Sequence, residues 1–123
     1  MVKVAIVDDD IDIVDAVKLI LTAKGFQVVS ATNANDGLKL IETEKPDIIL
    51  LDVMMEEPDD GFYLAMKLRK IGISTPIFLL TSVSKVTGFD YSGSEALPIE
   101  EFIEKPVQSD LLIEKINKYL GQR

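Results

Sequence analysis

The sequence predicts an α/β fold in which helices cover both faces of a parallel sheet. Three continuous apolar runs, Val4–Val7, Ile48–Leu51 and Ile77–Leu80, are typical of strands that are buried on both sides. Segments with helical periodicity separate these runs, and a length of 123 residues suits one domain of ordinary size. We therefore expect a single doubly wound sandwich with right-handed crossovers.

Two weaker segments complete the expected sheet. Phe26–Val29 is more polar than the three continuous runs, and Glu101–Glu104 is short and alternates between polar and apolar residues. Both patterns suit strands at the edges of a sheet, where one side of the strand meets water. The sequence therefore predicts five strands, of which these two are the edges.

The predicted helices carry local signals at their ends. Asp10 and Ser109 are candidate N-caps of the first and last helices, and Asn33 with Asp36 forms a capping box at the second. The third helix is defined by its apolar positions, Leu64, Leu68 and Ile71. The stretch Ser82–Pro98 is rich in Gly and Ser and has no clear period, so any fourth helix there should be short or irregular.

Composition excludes several classes of function. Thirteen Lys and Arg against 21 Asp and Glu give a formal charge of −8, which disfavours direct binding to nucleic acid or to an anionic membrane. The absence of Cys and His excludes disulfides, zinc–sulfur sites and imidazole catalysis. The apolar runs are too short to span a bilayer and the N-terminus has no signal-peptide pattern, so we expect a cytoplasmic protein.

Polar side chains follow four of the five predicted strands. Asp8-Asp9 ends the first run, Asp52 the third, Thr81 the fourth and Lys105 the fifth. In parallel sheets these strand ends meet at the edge where ligands bind. The sequence therefore predicts one site that contains carboxylates, a hydroxyl and an amine.

The residue types at this edge indicate phosphoryl transfer with a divalent cation. Two like charges 4 Å apart repel by about 4 kcal/mol at an effective dielectric near 20, so crowded carboxylates need a proton or a cation. An all-oxygen site with few protein ligands suits Mg²⁺, for which Asp8 and Asp9 are candidate ligands. Asp52, alone after the most apolar strand, is the best candidate nucleophile. We expect Thr81 and Lys105 to bind an anionic group that a substrate brings to the site, and we do not expect Lys105 to be the main counter-charge of the three acids.

The ordered set of motifs resembles the receiver domain of two-component response regulators from Val2 to about Leu120. The matching features are Val7-Asp8-Asp9, Asp52, Pro58, Asp60-Gly61, Thr81 and Lys105-Pro106. The resemblance implies a flavodoxin-like strand order 2-1-3-4-5. It also implies that a sensor histidine kinase or histidine phosphotransfer protein donates a phosphoryl group and that an unknown downstream protein receives the signal.

The resemblance also assigns roles to individual residues. Asp52 is the implied phosphoacceptor, and Asp9 and Asp52 are implied to bind Mg²⁺ directly, with Asp8 mainly through water and Met54 through its carbonyl. Thr81 and Lys105 are implied to bind the new phosphoryl group. Phe102 holds the position of the family's switch aromatic residue, and Lys105-Pro106 that of its cis peptide.

This chain departs from the family pattern in two segments. The loop from Val53 to Gly61 is longer and more acidic than usual, and Leu97-Pro98-Ile99 replaces the usual Gly-Ala pair before the last strand. We expect residues 1–123 to form one receiver domain without an output domain. Met54 and Val83 are apolar where the family flanks the path of the hydrolytic water, which predicts slow self-dephosphorylation.

Two rival functions remain open at the level of sequence. A Mg²⁺-dependent phosphohydrolase would also use an aspartyl phosphate, but such enzymes often carry an acid two residues after the nucleophile, where this chain has Met54. A receiver that serves only as a scaffold would lack Mg²⁺ binding. We therefore expect a signalling protein that catalyses only its own phosphorylation and slow dephosphorylation.

Overall fold

Five parallel strands form one sheet in the order β2-β1-β3-β4-β5. A computed structural model describes residues 2–55, 57, 60–82 and 99–121. The elements in these ranges are β1 (Lys3–Val7), α1 (Ile11–Thr22), β2 (Gln27–Ala31), α2 (Ala34–Glu44), β3 (Ile48–Asp52), α3 (Asp60–Lys70), β4 (Ile77–Thr81), β5 (Glu101–Glu104) and α4 (Ser109–Leu120). The predicted fold class and strand order are confirmed, whereas the predicted irregular fourth helix lies outside the described residues.

Helices pack against both faces of the sheet. Buried side chains of α1 and α4 form one core cluster with Val4, Ile6 and Phe78. Buried side chains of α2 and α3 form a second cluster on the other face with Ala5, Val7 and other strand residues. The side chains of alternate strand residues thus pack into opposite clusters, which explains why the central strands are apolar without interruption.

Two of the polar residues at the strand ends, Asp52 and Thr81, belong to the strands themselves. All five residues of β3 are buried, and the strand includes Asp52 as its last residue. Likewise β4 is buried throughout and includes Thr81. The hydrogen-bonded ladder therefore fixes the backbone of both residues, so their side chains leave a rigid strand rather than a loop.

Most of the predicted helix ends are confirmed. The Asp10 carboxylate accepts a hydrogen bond from Asp12 N at 3.0 Å. Asn33 accepts from Asp36 N at 2.8 Å, and its amide donates to the Asp36 carboxylate at 2.9 Å. These bonds satisfy backbone donors that have no partner inside the helix.

Two predictions for the other helices are wrong. Ser109 is the first residue of α4 rather than its cap, and Gln108 holds the cap position without a side-chain hydrogen bond. Ile71 is 47% exposed, because α3 ends at the residue before it, whereas the buried residues of the helix include Leu64 and Leu68. The spacing of Ile71 from Leu64 and Leu68 fits a helical period, but the helix ends before Ile71, so this side chain does not join the buried side of the helix.

Gly61 brings the start of α3 directly against the end of β3. Its N–H donates to Val53 O at 2.9 Å, and a Cβ atom at this position would lie 2.2 Å from the Asp52 carbonyl oxygen. Such a contact is far inside van der Waals distance, so only glycine fits. The Asp60-Gly61 pair therefore sets the position of the strand end that carries Asp52.

Within residues 2–55, 57, 60–82 and 99–121, no helix is both long and apolar enough to cross a bilayer.

We predict that Gly61→Ala destabilises the protein by about 3 kcal/mol, because the new methyl group must push α3 away from β3. Chemical denaturation measures this loss. Gly121→Ala is the matched control, because Gly121 has an ordinary helical φ of −66° and an added Cβ comes no closer than 3.2 Å to another atom. Equal stability of the two variants would contradict the prediction.

Candidate functional site

The expected polar edge is formed at the carboxyl ends of β1, β3, β4 and β5. Asp8 follows β1 and donates its N–H to Ala31 O at 3.1 Å. Asp52 ends β3, and Lys105 follows β5 and donates its N–H to Thr81 O at 2.7 Å. Backbone hydrogen bonds between neighbouring strands therefore bring these residues to one place.

Three carboxylates cluster at this edge. One oxygen each of Asp8, Asp9 and Asp52 lies within 4.8 Å of the others. Asp8 is fully buried and Asp52 is 6% exposed, whereas Asp9 faces solvent. The cluster is therefore open to an entering ion on the side of Asp9.

Lys105 pairs with both buried acids. Its Nζ lies 3.0 Å from Asp8 Oδ2 and 3.1 Å from Asp52 Oδ1. Burial opposes the charged ammonium, but contact with Asp8 and attraction to Asp52 outweigh it and raise the pKa of Lys105. Lys105 therefore contacts both buried acids in the structure described here, and the expectation that it binds an incoming anionic group stays a prediction.

The Asp52 carboxyl group has an unusual protonation equilibrium. Burial, reinforced by repulsion from Asp8, raises its pKa to about 6, although Lys105 acts in the opposite direction. Burial disfavours the carboxylate because it removes the water that solvates the charge. One ammonium is therefore not enough to keep the pKa of Asp52 at its ordinary value.

The donor set fits a hard divalent cation. Within the described part of the chain, Asp8 Oδ2 is a buried oxygen that accepts no well-directed hydrogen bond, although it lies at ion-pair distance from Lys105. Buried oxygens without such a bond are costly unless a cation compensates them. Asp8, Asp9 and Asp52 offer the all-oxygen coordination that Mg²⁺ prefers. Met54 is half-buried next to them, and its N–H lies 3.4 Å from Asp52 Oδ1.

Thr81 and Phe102 lie on the neighbouring strands. Thr81 is 8% exposed at the end of β4. Phe102 is half-buried in β5, packs against the α2–α3 cluster and has its ring centroid 6.5 Å from that of Phe62. The Lys105–Pro106 peptide bond is cis, as the resemblance implied. Pro58 and Val83 lie outside the described residues.

Two contributors to the geometry were missed at the level of sequence. Asp8 Oδ1 accepts a hydrogen bond from Asp10 N at 2.9 Å, an Asx turn that orients the Asp8 carboxylate. The spacing Asp8-Asp9-Asp10 contains this signal, but we interpreted Asp10 only as a cap. The second contributor is Gly61, whose close approach to Asp52 could not be read from sequence because it depends on where α3 meets β3.

We predict that Asp52→Asn stabilises the metal-free protein more at neutral pH than in acid. The raised pKa of Asp52 stabilises the fold fully below its ordinary value of 3.8, and this contribution is lost as pH rises through about 6. The difference in unfolding free energy between variant and wild type should therefore grow by roughly 2 kcal/mol from about pH 4 to about pH 7.5.

Urea denaturation with a chelator at several pH values measures this difference. Asp15→Asn is the matched control, because it removes an exposed carboxylate from α1. A difference for Asp52→Asn that is constant with pH would contradict the prediction.

Comparison with known proteins identifies the family. The profile of the response regulator receiver domain matches residues 4–117. The chain is 33% identical over 118 residues to the transcriptional regulatory protein DltR of Streptococcus agalactiae, covering 93% of this chain and 50% of that protein. It is 35% identical over 129 residues to the transcriptional regulatory protein AfsQ1 of Streptomyces coelicolor, covering 100% of this chain and 54% of that protein.

A solved structure of a response regulator has a similar fold. The chain superimposes on the response regulator TrrA of Thermotoga maritima with a TM-score of 0.83 and 28% identity, covering 97% of this chain and 99% of that one. The chain spans about half the length of the curated relatives DltR and AfsQ1. The match to the family profile extends over nearly all of its residues, and the chain therefore belongs to the receiver domains of two-component response regulators.

Proposed function

We propose that this chain is a phosphorylation-dependent signalling switch in a two-component phosphorelay and that Asp52 is its phosphoacceptor. The observation that supports this proposal most is the cluster of Asp8, Asp9 and Asp52 with Lys105 3.1 Å from the Asp52 carboxylate. The members of this family are signalling domains rather than typical enzymes. Catalysis is thus limited to the protein's own phosphorylation and dephosphorylation.

The proposed transfer begins with a phosphohistidine on a sensor histidine kinase or a histidine phosphotransfer protein. An Asp52 carboxylate oxygen attacks the phosphorus, the bond from phosphorus to the donor imidazole nitrogen breaks, and an acyl phosphate forms on Asp52. The imidazole leaves with the electron pair of that bond. These 123 residues contain no histidine, so the donor phosphohistidine has to lie outside them.

Each residue of the site has a proposed part in this transfer. Mg²⁺ would be held by Asp8, Asp9, Asp52 and the Met54 carbonyl, and when bound it would supply positive charge to neutralise phosphoryl oxygens. Lys105, which pairs with Asp8 and Asp52 at 3.0 and 3.1 Å, exchanges one carboxylate for a phosphoryl oxygen. The TrrA structure is described as a complex with Mg²⁺-BeF, which supports the proposal that this chain also binds Mg²⁺.

The proposed signal arises from the added charge. A phosphoryl group brings negative charge and acceptor oxygens next to Thr81 and Lys105. Thr81 moves so that its hydroxyl donates a hydrogen bond to one of these oxygens. Phe102, which is already half-buried against Phe62, turns further inward. A downstream protein recognises the changed surface.

The proposal extends to the setting of the domain. Residues 1–123 act as one receiver unit in the cytoplasm, and their charge of −8 keeps this unit from contacting nucleic acid or membrane directly. The relatives are named transcriptional regulatory proteins, and this chain corresponds to about half of each. The expectation about nucleic acid therefore concerns this domain alone and stays a prediction.

We predict that incubation with Mg²⁺ and a small-molecule phosphodonor adds one phosphoryl group to the chain. Asp52→Asn should abolish the addition because the amide cannot form an acyl phosphate, and a chelator should abolish it by removing Mg²⁺. Intact-protein mass spectrometry measures the product.

Asp15→Asn should be phosphorylated like the wild-type chain, since Asp15 is an exposed residue of α1. An unmodified wild-type chain that nevertheless binds Mg²⁺ would overturn the proposal, and an unmodified chain that does not bind Mg²⁺ would instead favour a scaffold.

We predict slow self-dephosphorylation, with a half-life far longer than seconds, because the apolar side chain of Met54 next to Asp52 cannot orient a hydrolytic water. Met54→Asn should shorten the half-life about tenfold, since its amide can hold a water near the phosphoryl group. Phosphate release from the purified phosphoprotein measures the rate. Met66→Asn, on the exposed side of α3, is the matched control. A wild-type half-life of seconds would contradict the prediction.

A further inference from the structure

The outer side of α3 carries an exposed face that is both apolar and basic. Tyr63, Met66 and Ile71 are 65%, 56% and 47% exposed. Lys67 and Lys70 are exposed between them. In a chain with a formal charge of −8, these five positions form a stripe that includes two lysines and no acid. We call this stripe the α3 face.

The outer side of α1 carries a face of the opposite charge. Ile11 and Leu19 are 55% and 74% exposed. Asp12, Asp15 and Ala16 are exposed between them. This α1 face includes two acids, and a small alanine stands at its centre. Exposed apolar side chains grouped in this way are a feature of surfaces that bind other proteins.

The charged residues of the two faces match when the helices run antiparallel. With Leu19 opposite Tyr63, Asp15 is opposite Lys67 and Asp12 is opposite Lys70. Each lysine of the α3 face thus meets a carboxylate of the α1 face. Exposed pairs of this kind add little affinity each, but they select partner and orientation, because like charges in the same places repel.

The apolar residues match in the same alignment. Ile11 comes opposite Ile71, and the small Ala16 comes opposite the long Met66. Each stripe extends over nine positions, which is about 12 Å along a helix, and Ile71 directly follows the last residue of α3. A large side chain opposite a small one lets two helices approach closely.

The two faces point away from opposite sides of the sheet. The buried residues of α1, such as Val14 and Val17, belong to the cluster shared with α4. The buried residues of α3, such as Leu64 and Leu68, belong to the cluster on the other side. One copy therefore offers both faces at once to two neighbouring copies.

We propose that the α1 face of one copy of this chain docks on the α3 face of another copy. The contact joins two different surfaces, so it is heterologous and extends into chains or rings of copies instead of closing as a symmetric pair. Two helices bury a small interface, and a formal charge of −8 on every copy opposes long assemblies. The contact is therefore weak and dependent on concentration.

Sedimentation equilibrium of the unphosphorylated chain tests the proposal. The weight-average mass should rise at least about 1.5-fold between about 10 μM and about 1 mM. Either Asp12→Lys/Asp15→Lys or Lys67→Glu/Lys70→Glu should weaken the association about tenfold or more. A mixture of the two reversed variants should regain the wild-type association, because their charges match again.

A control separates the proposed contact from a general effect of charge. Lys24→Glu/Lys39→Glu makes the formal charge more negative by four, as Lys67→Glu/Lys70→Glu does, but at exposed positions outside both faces. This control should associate like the wild-type chain. A wild-type chain that stays monomeric, a control that dissociates as fully as the face variants, or a mixture that does not regain association would each overturn the proposal.

Cross-linking gives a second readout, since the natural sequence has no cysteine. Under mild oxidation, a mixture of the Ala16→Cys and Met66→Cys variants should form a disulfide-linked dimer of one copy of each. Each variant alone should form at least about tenfold less dimer, because a heterologous contact does not bring two identical positions together. Equal cross-linking of a single variant and of the mixture would contradict the proposed pairing.

Discussion

The ion pairs between one lysine and two buried carboxylates hold the site of this domain together. Lys105 meets Asp8 at 3.0 Å and Asp52 at 3.1 Å, and the three residues come from three different strand ends. Two buried acids at this spacing repel each other and would separate or take up a proton without the ammonium. The order of the strands, the approach of α3 through Gly61 and the turn at Asp8 all serve to keep this arrangement in place.

The charge balance of this cluster favours the binding of a cation. Two carboxylates share one ammonium, and the exposed Asp9 adds a third negative charge beside them. The excess appears in the pKa of Asp52, which burial raises to about 6. In the proposed function, a divalent cation would remove this excess of negative charge, and a phosphoryl group would restore it at another position. Such changes in charge would then alter which groups Lys105 contacts.

Local patterns predicted the sheet because its central strands are buried on both sides. The continuous apolar run of β3 and the polar residue at its end required no knowledge of distant contacts, and the caps at Asp10 and Asn33 depend on neighbours within three residues. What sequence could not give depends on distance in space. The pairing of Lys105 with Asp8, the lack of room at Gly61 and the exposure of Ile71 arise only when separate elements meet.

The edge strand β5 connects the site to both layers of helices. Phe102 packs on the side of α2 and α3, whereas the next residue, Ile103, is buried on the side of α1 and α4. Lys105 follows two residues later, in the turn that faces Asp52. A shift of this short strand along its own axis would therefore disturb the packing of both layers at once. Both helical layers of the domain would then change together when β5 shifts, so that partners bound on opposite sides would each detect the shift.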